Sequence, residues 1–241
     1  MRLNKYIADA GICSRREADK MIAAGRVRIG GQIAAPGSIV GADDMVCVDG
    51  KPVVAGTEEK VVFAFYKPSG YVCTERDRHA TKTIYDILDY PQRLTYAGRL
   101  DKASEGLLIM TNDGHLIEKM MRARHGHEKE YAVRVDKPIT SDVIEKMQAG
   151  MYLAELDTHT RPCVVIPRGE DDFTMILTQG VNKQIRRMCS ACGLRVRSLK
   201  RTRVVNIELG NLQPGEYRRI EGGELEELYS RCHLKPHKST A

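Results

Sequence analysis

The chain has 241 residues, 42% of them hydrophobic and 29% charged, which is the composition of a globular protein with room for one large domain or two smaller ones. No apolar run approaches the length that crosses a bilayer, and Met1-Arg2-Leu3-Asn4-Lys5 opens without the apolar core of a signal peptide, so a cytoplasmic location with no membrane partner is expected. The net charge of +6 alone decides little, and seven cysteines without a framework read as reduced thiols.

The first helix pattern is Leu3, Tyr6 and Ile7, closed by Gly11. A second starts at Ser14-Arg15-Arg16-Glu17, where Ser14 can cap and Glu17 can reach back, and it stops at Gly25. Short strands follow at Val27-Arg28-Ile29, Gln32-Ile33, Val46-Cys47-Val48 and Lys51-Pro52-Val53, with turns at Gly30-Gly31 and Asp49-Gly50. Residues 1–56 therefore read as a small α/β module. Its cations Lys5, Arg15, Arg16, Lys20, Arg26 and Arg28 are either ordinary surface charge or an RNA-binding face. A polar stretch at 57–61 reads as a linker.

From Val61 an apolar run, Val61-Val62-Phe63-Ala64-Phe65-Tyr66, predicts a buried strand, followed by the turn Lys67-Pro68-Ser69-Gly70. A helix is expected around 83–88. Then comes the stretch that organises the chain: Gly98-Arg99-Leu100-Asp101-Lys102-Ala103-Ser104-Glu105-Gly106, a charged loop leading into the apolar strand Leu107-Leu108-Ile109-Met110. Such a loop holds either a structural ion pair or a reactive carboxylate fixed to a rigid strand. A helix is expected over 115–122, and Lys129-Glu130-Tyr131-Ala132-Val133-Arg134-Val135 alternates as a strand. Tyr131 is open to two readings, a half-buried strand aromatic or a platform on which a base stacks.

A helix over 141–150 and strands near 164–166 and 173–178 precede Gln179-Gly180-Val181-Asn182-Lys183-Gln184-Ile185-Arg186-Arg187-Met188. Here Asn182 can cap a helix reaching about Cys192, and the loop presents N–H groups and cations together, as phosphate sites do. Between Asp172 and Glu208 no acid occurs, while Lys183, Arg186, Arg187, Arg195, Arg197, Lys200, Arg201 and Arg203 all do, a pattern that attracts polyanions. Cys189-x-x-Cys192 lacks a second ligand pair at a metal-binding spacing apart from Cys232-His233, and it falls late in a helix, so no metal site is expected. Strands are expected at 194–199 and 202–209, and 223–241 reads as a C-terminal tail that frays at its end. The fold class is α+β: the N-terminal module, then a mixed, largely antiparallel-sheet domain over 62–222.

Two groups of motifs resemble known families. Arg2-Leu3-Asn4-Lys5-Tyr6-Ile7-Ala8, Gly11-Ile12-Cys13-Ser14-Arg15-Arg16-Glu17-Ala18-Asp19 and Gly25-Arg26-Val27-Arg28-Ile29-Gly30-Gly31 resemble the S4 RNA-binding domain, with Gly30 where an Asn is usual. That resemblance implies RNA contacts along the second helix and hairpin, including Lys5, Arg15, Arg16, Arg26 and Arg28. The loop at 97–108 resembles the G-R-L-D-x-x-(S/T)-x-G-L-L signature of pseudouridine synthases, with Lys67-Pro68-Ser69-Gly70, Lys129-Glu130-Tyr131 and the 182–188 block in the expected order. The whole chain looks like the S4-containing, small-ribosomal-subunit synthase A branch, and the blocks at 179–189 and 199–207 look most like its large-ribosomal-subunit synthase F group.

The resemblance implies isomerisation of a uridine in structured RNA to pseudouridine, without a cofactor. Asp101 corresponds to the catalytic carboxylate, Arg186 to the basic residue that pairs with it, Tyr131 to the aromatic that stacks on the base, and Ile185 to an apolar neighbour beneath. Arg99 matches the residue that fills the gap when the base flips out. Leu100, Lys102, Val181, Asn182, Lys183 and Gln184 are further expected RNA contacts. The implied partner is a ribosomal RNA stem-loop, in 23S RNA first, with tRNA as a second candidate, and the enzyme is expected to be a monomer. The rival reading is a non-catalytic S4-type RNA-binding protein in ribosome assembly.

Overall fold

The computed structural model describes residues 1–56, 58–74, 82–122 and 126–236. In the N-terminal module, α1 (Leu3–Asp9) and α2 (Arg15–Ala23) pack on a small antiparallel sheet of β1 (Val27–Ile29), β2 (Gln32–Ile33), β3 (Val46–Val48) and β4 (Lys51–Val53). The cap of α2 forms as its sequence indicates: Ser14 Oγ accepts the Glu17 N–H at 3.2 Å, and the Glu17 carboxylate accepts the Ser14 N–H. Leu3, Ile7, Ala18 and Ile22 bury one helix face against Val27, Val46, Val48 and Val53.

The second part is built on a nine-stranded sheet. Its central order is β11 (Val164–Pro167), β12 (Asp172–Leu177), β8 (Lys129–Val135), β13 (Val196–Val204), β7 (Glu105–Thr111), β5 (Val62–Lys67) and β15 (Tyr217–Arg219). β6 (Thr95–Ala97) adds to β7 and β14 (Ile207–Glu208) to β13. All pairings are antiparallel except β13 with β7. β5 and β7 are apolar on both faces because both faces are covered. Phe63, Phe65, Leu108 and Met110 meet Ile84 and Leu100 on one side. On the other, Ala64, Tyr66, Leu107 and Ile109 meet α3 (Gly114–Met121) and α6 (Gly222–Arg231). A separate core joins β8, β11 and β12 to α4 (Ser141–Gln148) and α5 (Gln184–Ala191) through Val133, Met147, Phe173, Met175 and Met188. The two halves meet along the parallel β7–β13 seam. Among the described residues no helix is long and apolar enough to cross a membrane.

Three local expectations are corrected. The helix near 83–88 is a single 3-10 turn, Ile84–Asp86, whose capping carboxylate Asp86 accepts the Thr83 N–H at 2.6 Å. α5 begins after Lys183, which sits in the left-handed region (φ 50°), and not at an Asn182 cap. The loop is instead closed by Gln184 Oε1, which accepts the Val181 N–H, while Asn182 accepts from the Arg187 guanidinium. The expected tail is in part a helix: α6 buries Leu228 and Tyr229, and the Tyr229 hydroxyl donates to Asp113 Oδ2 at 2.8 Å. Glu226 and Glu227 are exposed on the outer face of this amphipathic helix, while Glu224 accepts from the Arg218 guanidinium.

Candidate active site

The loop 98–104 leaves β6 and enters β7, and its backbone is pinned from below. Lys67, the last residue of β5, is fully buried; its ammonium donates to Ser104 O at 2.6 Å and Pro68 O at 2.8 Å. Burial pushes that ammonium down to about 8, against the opposing pull of the Asp101 and Glu105 carboxylates. The Gly70 N–H donates to Lys102 O at 2.7 Å, and the Ser104 N–H to Asp101 O at 3.0 Å. The Lys67-Pro68-Ser69-Gly70 turn is thus the seat of the loop, a role that its sequence position alone did not display.

The loop runs into the seam through Gly106. Gly106 has φ +104° and lies so close to β13 that a Cβ there would stand 2.3 Å from Arg201 O. Only glycine fits both the conformation and the space.

A cleft of about 260 Å³ opens where the two halves meet, between this loop, β8, β13 and the segment 177–185. Asp101 is the one carboxylate among its lining residues, which also include Arg99, Lys129, Lys183 and Arg201. The Asp101 carboxylate makes no hydrogen bond or ion pair among the described residues. Tyr131 lines the cleft while packing on the cores of both halves, so its two readings are compatible: it is a strand aromatic with one face presented to the cavity. Ile185, buried at the start of α5, forms part of the apolar floor.

The other expected residues divide. Arg99 is exposed at the rim with no hydrogen bond or ion pair among the described residues, and Val181, Asn182 and Lys183 line the mouth. Leu100 and Gln184 also line it but are buried, Leu100 in the core beside Phe63 and Gln184 turned back on its own loop. Lys102 is exposed and lies outside the cleft lining. Arg186 is not paired with Asp101. Its Nη2 donates to Ala103 O at 2.9 Å and to Ser104 Oγ at 3.4 Å, so the guanidinium grips a backbone carbonyl two residues further on and a side-chain hydroxyl three residues on. The Ala103 carbonyl and the Ser104 hydroxyl claim its donors there.

In the N-terminal module, Arg15 and Arg16 are exposed and line a shallow groove shared with Lys20 and Arg93. Lys5 Nζ instead lies 2.9 Å from His115 Nε2 of α3. Arg26 is held by Asp49, Nε to Oδ1 at 2.8 Å, and Arg28 donates to Gly31 O at 2.9 Å.

Sequence reading missed Lys67, Lys129 and Arg201 as parts of the site. The signal for Lys129 was available: two residues before Tyr131 on one strand, it must point to the same face. Arg201 was visible only as one cation of a basic block. The Cys189-x-x-Cys192 thiols sit at the end of α5, where burial pushes Cys189 up to about 12. None of the seven cysteines forms a disulfide.

The family model described as RNA pseudouridylate synthase matches residues 61–191, the span that supplies most of this cleft, and the S4 domain model matches residues 1–46. The chain belongs to the RNA pseudouridine synthase family. This synthase is similar to the dual-specificity RNA pseudouridine synthase RluF of Salmonella typhi, at 44% identity over 95% of this chain and 78% of the relative. The protein of the same name from Escherichia coli K12 is 43% identical with the same coverage. The ribosomal large subunit pseudouridine synthase B of Bacillus subtilis is 33% identical over 94% of this chain and 95% of the relative. A crystal structure of a pseudouridylate synthase superposes with a TM-score of 0.71 at 29% identity, covering 95% and 99% of the two chains. The enzyme is therefore an RNA-acting isomerase, an S4 domain followed by a pseudouridine synthase domain.

Proposed function

We propose that Asp101 carries the chemistry of this synthase, acting at the sugar of a uridine that has been flipped out of structured RNA into the cleft. The reaction breaks the N1–C1′ bond, turns the base and rejoins it through C5. It needs a group that can act on the sugar, and carboxylates do so in other glycosyl chemistry. The observation that carries the reading is the isolation of Asp101: a single unpaired carboxylate faces a cavity whose other charged lining residues are all cationic. Tyr131 offers its ring face to the base, Ile185 packs beneath it, and Arg99 stands at the rim, where a flipped nucleotide leaves a gap to be filled. Arg186 acts here as a positioning residue, since it binds the loop backbone and not the carboxylate. Val181, Asn182 and Lys183 meet the RNA backbone at the mouth, with Arg15 and Arg16 extending the track along the S4 helix.

The substrate proposed is a large-subunit ribosomal RNA stem-loop, with tRNA as the second candidate. The names of the relatives, dual-specificity and large-subunit synthases, support this choice. The enzyme is proposed to work as a monomer in the cytoplasm, where seven cysteines without a disulfide are in keeping with a reducing compartment. The boundary between the two domains is placed at 57–61.

Asp101→Asn tests the assignment. The variant should fold, bind the RNA and form no pseudouridine when modified sites are mapped by chemical adducts and reverse transcription. Pseudouridine formed by Asp101→Asn at the wild-type rate would overturn it.

A further inference from the structure

Two cations in the cleft make no ion pair with a carboxylate among the described residues. Lys129 stands two residues before Tyr131 on β8, and Arg201 of β13 is paired in register with Tyr131, so all three face the same side of the sheet. Arg201 is 2% exposed; its Nε donates to Leu107 O at 2.7 Å, while its Nη2 is buried with no hydrogen-bond partner. Lys129 Nζ donates to His127 O at 3.2 Å, which leaves two of its three donors unassigned. Burial and the nearby Arg201 push the Lys129 ammonium down to about 8. Among the described residues neither cation is paired with a carboxylate.

Buried guanidinium groups are ordinarily neutralised by a carboxylate, because an unpaired buried charge is strongly destabilising. Here the fold instead keeps the buried Arg201 guanidinium beside the half-buried Lys129 ammonium, both on residues that line one cavity. Phosphates are an unsuitable occupant of this depth. The RNA backbone meets the rim, where Arg99 and Lys183 are solvent-exposed, while Lys129 and Arg201 sit beside the ring on which the base is proposed to stack.

The reaction itself generates an anion at that place. When N1–C1′ breaks, its electron pair leaves with the base, and the charge spreads over N1, O2 and O4 of uracil. This holds whether an Asp101 oxygen bonds to C1′ or takes a proton from the sugar. We infer that Lys129 and Arg201 bind the detached uracil anion through its carbonyl oxygens, stabilising the departing charge and retaining the base while it turns. C5 then bonds to C1′ as the Asp101 oxygen leaves that carbon, or as the sugar takes back the proton that Asp101 held; the C5 proton is lost, N1 takes up a proton, and the product base is neutral. Preorganised cations aimed at charge that exists only after bond cleavage are the arrangement that accelerates a reaction without tightening substrate binding. The inference rests on the proposed placement of Asp101 and Tyr131.

The test uses the full-length enzyme in single turnover on two stem-loops containing a mapped target, one with uridine and one with 5-fluorouridine there. Fluorine makes the base a better-stabilised anion. Lys129→Met should slow glycosidic-bond cleavage of the uridine RNA by roughly 100-fold while the RNA dissociation constant moves by less than about threefold. On the fluorinated RNA the deficit against wild type should shrink to below about tenfold. Arg201→Met should show the same pattern, and if it fails to fold, Arg201→Lys and Lys129→Arg, which keep the charge, must retain most of the rate. An equal deficit on both RNAs would overturn the inference. So would a loss confined to affinity with a shallower salt dependence, the mark of a phosphate contact. Asp101→Asn on the same RNAs reports on the Asp101 assignment separately: activity there sinks that assignment, whereas loss of the fluorine effect sinks only this one.

Discussion

Replacing Lys67 by Met separates the position of the catalytic loop from its stability. The substitution removes the ammonium that binds Ser104 O at 2.6 Å and Pro68 O at 2.8 Å. Each buried carbonyl left without a donor costs about 1–3 kcal/mol. In the other direction, burial has moved this ammonium from 10.5 to about 8, so its removal relieves about 3 kcal/mol of desolvation at neutral pH. The two effects largely offset each other, and the net loss of stability should fall between zero and about 3 kcal/mol. Catalysis has no such compensation. Ser104 holds Asp101 O through its N–H at 3.0 Å, so a loosened Ser104 displaces the carboxylate, and a shift of about 1 Å is enough to lower turnover by about 100-fold. The assay is tritium release from RNA labelled at uridine C5, at saturating RNA, beside a thermal melt and an RNA-binding titration. Turnover within about threefold of wild type, with folding and binding intact, would refute the claim that Lys67 sets the position of Asp101.

The same residue has a pH signature. In the folded protein Lys67 loses its proton near pH 8, whereas in the unfolded chain it keeps it to about 10.5. Between those values the unfolded state binds the extra proton, so wild-type stability relative to Lys67→Met should rise with pH, by about 3 kcal/mol in total. Denaturant titrations of both proteins at pH 7.5, 9 and 10 measure it, and a difference that stays flat would mean the ammonium is solvated. Gly106→Ala should cost more than about 3 kcal/mol or abolish folding, since it adds left-handed strain to a Cβ 2.3 Å from Arg201 O; a soluble variant with the wild-type melting temperature would place the β7–β13 seam wrongly. Tyr229→Phe removes the donor to Asp113 Oδ2, whose Oδ1 caps α3 by accepting the His115 and Leu116 N–H groups. It should lower stability by about 1–3 kcal/mol in calorimetry, and no change would mean that α6 is not part of the folded domain.

What was legible in the sequence was local. Periodicity located β5, β7 and β8, the Ser14–Glu17 box located the start of α2, and a charged loop ahead of an apolar run marked Asp101 as a candidate before any partner was known. These signals arise between residues a few positions apart, where spacing is itself the geometry. The tail expected from residue 223 onward was in part α6, because the apolar stripe of that helix becomes visible only against the β5 and β7 face that receives it.

The allocation of donors was decided by the tertiary structure alone. Asn182 and Arg186 have the right chemistry for a helix cap and for pairing with Asp101, yet the Ala103 carbonyl 83 residues away takes Arg186, and the Arg187 side chain takes Asn182. Lys67 binding Ser104, Gly106 closing on Arg201, and Lys129 meeting Arg201 beside Tyr131 all depend on strand order, above all on the parallel β7–β13 seam. A hydrogen-bond donor goes to whichever acceptor the packed chain brings within about 3 Å, and residue type cannot announce that acceptor in advance. The sequence by itself determined which carboxylate and which cations this synthase possesses. Only the fold decided that the carboxylate stands unpaired while Arg201 is buried and Lys129 half-buried without a carboxylate partner, because that balance exists only where the two halves of the sheet meet.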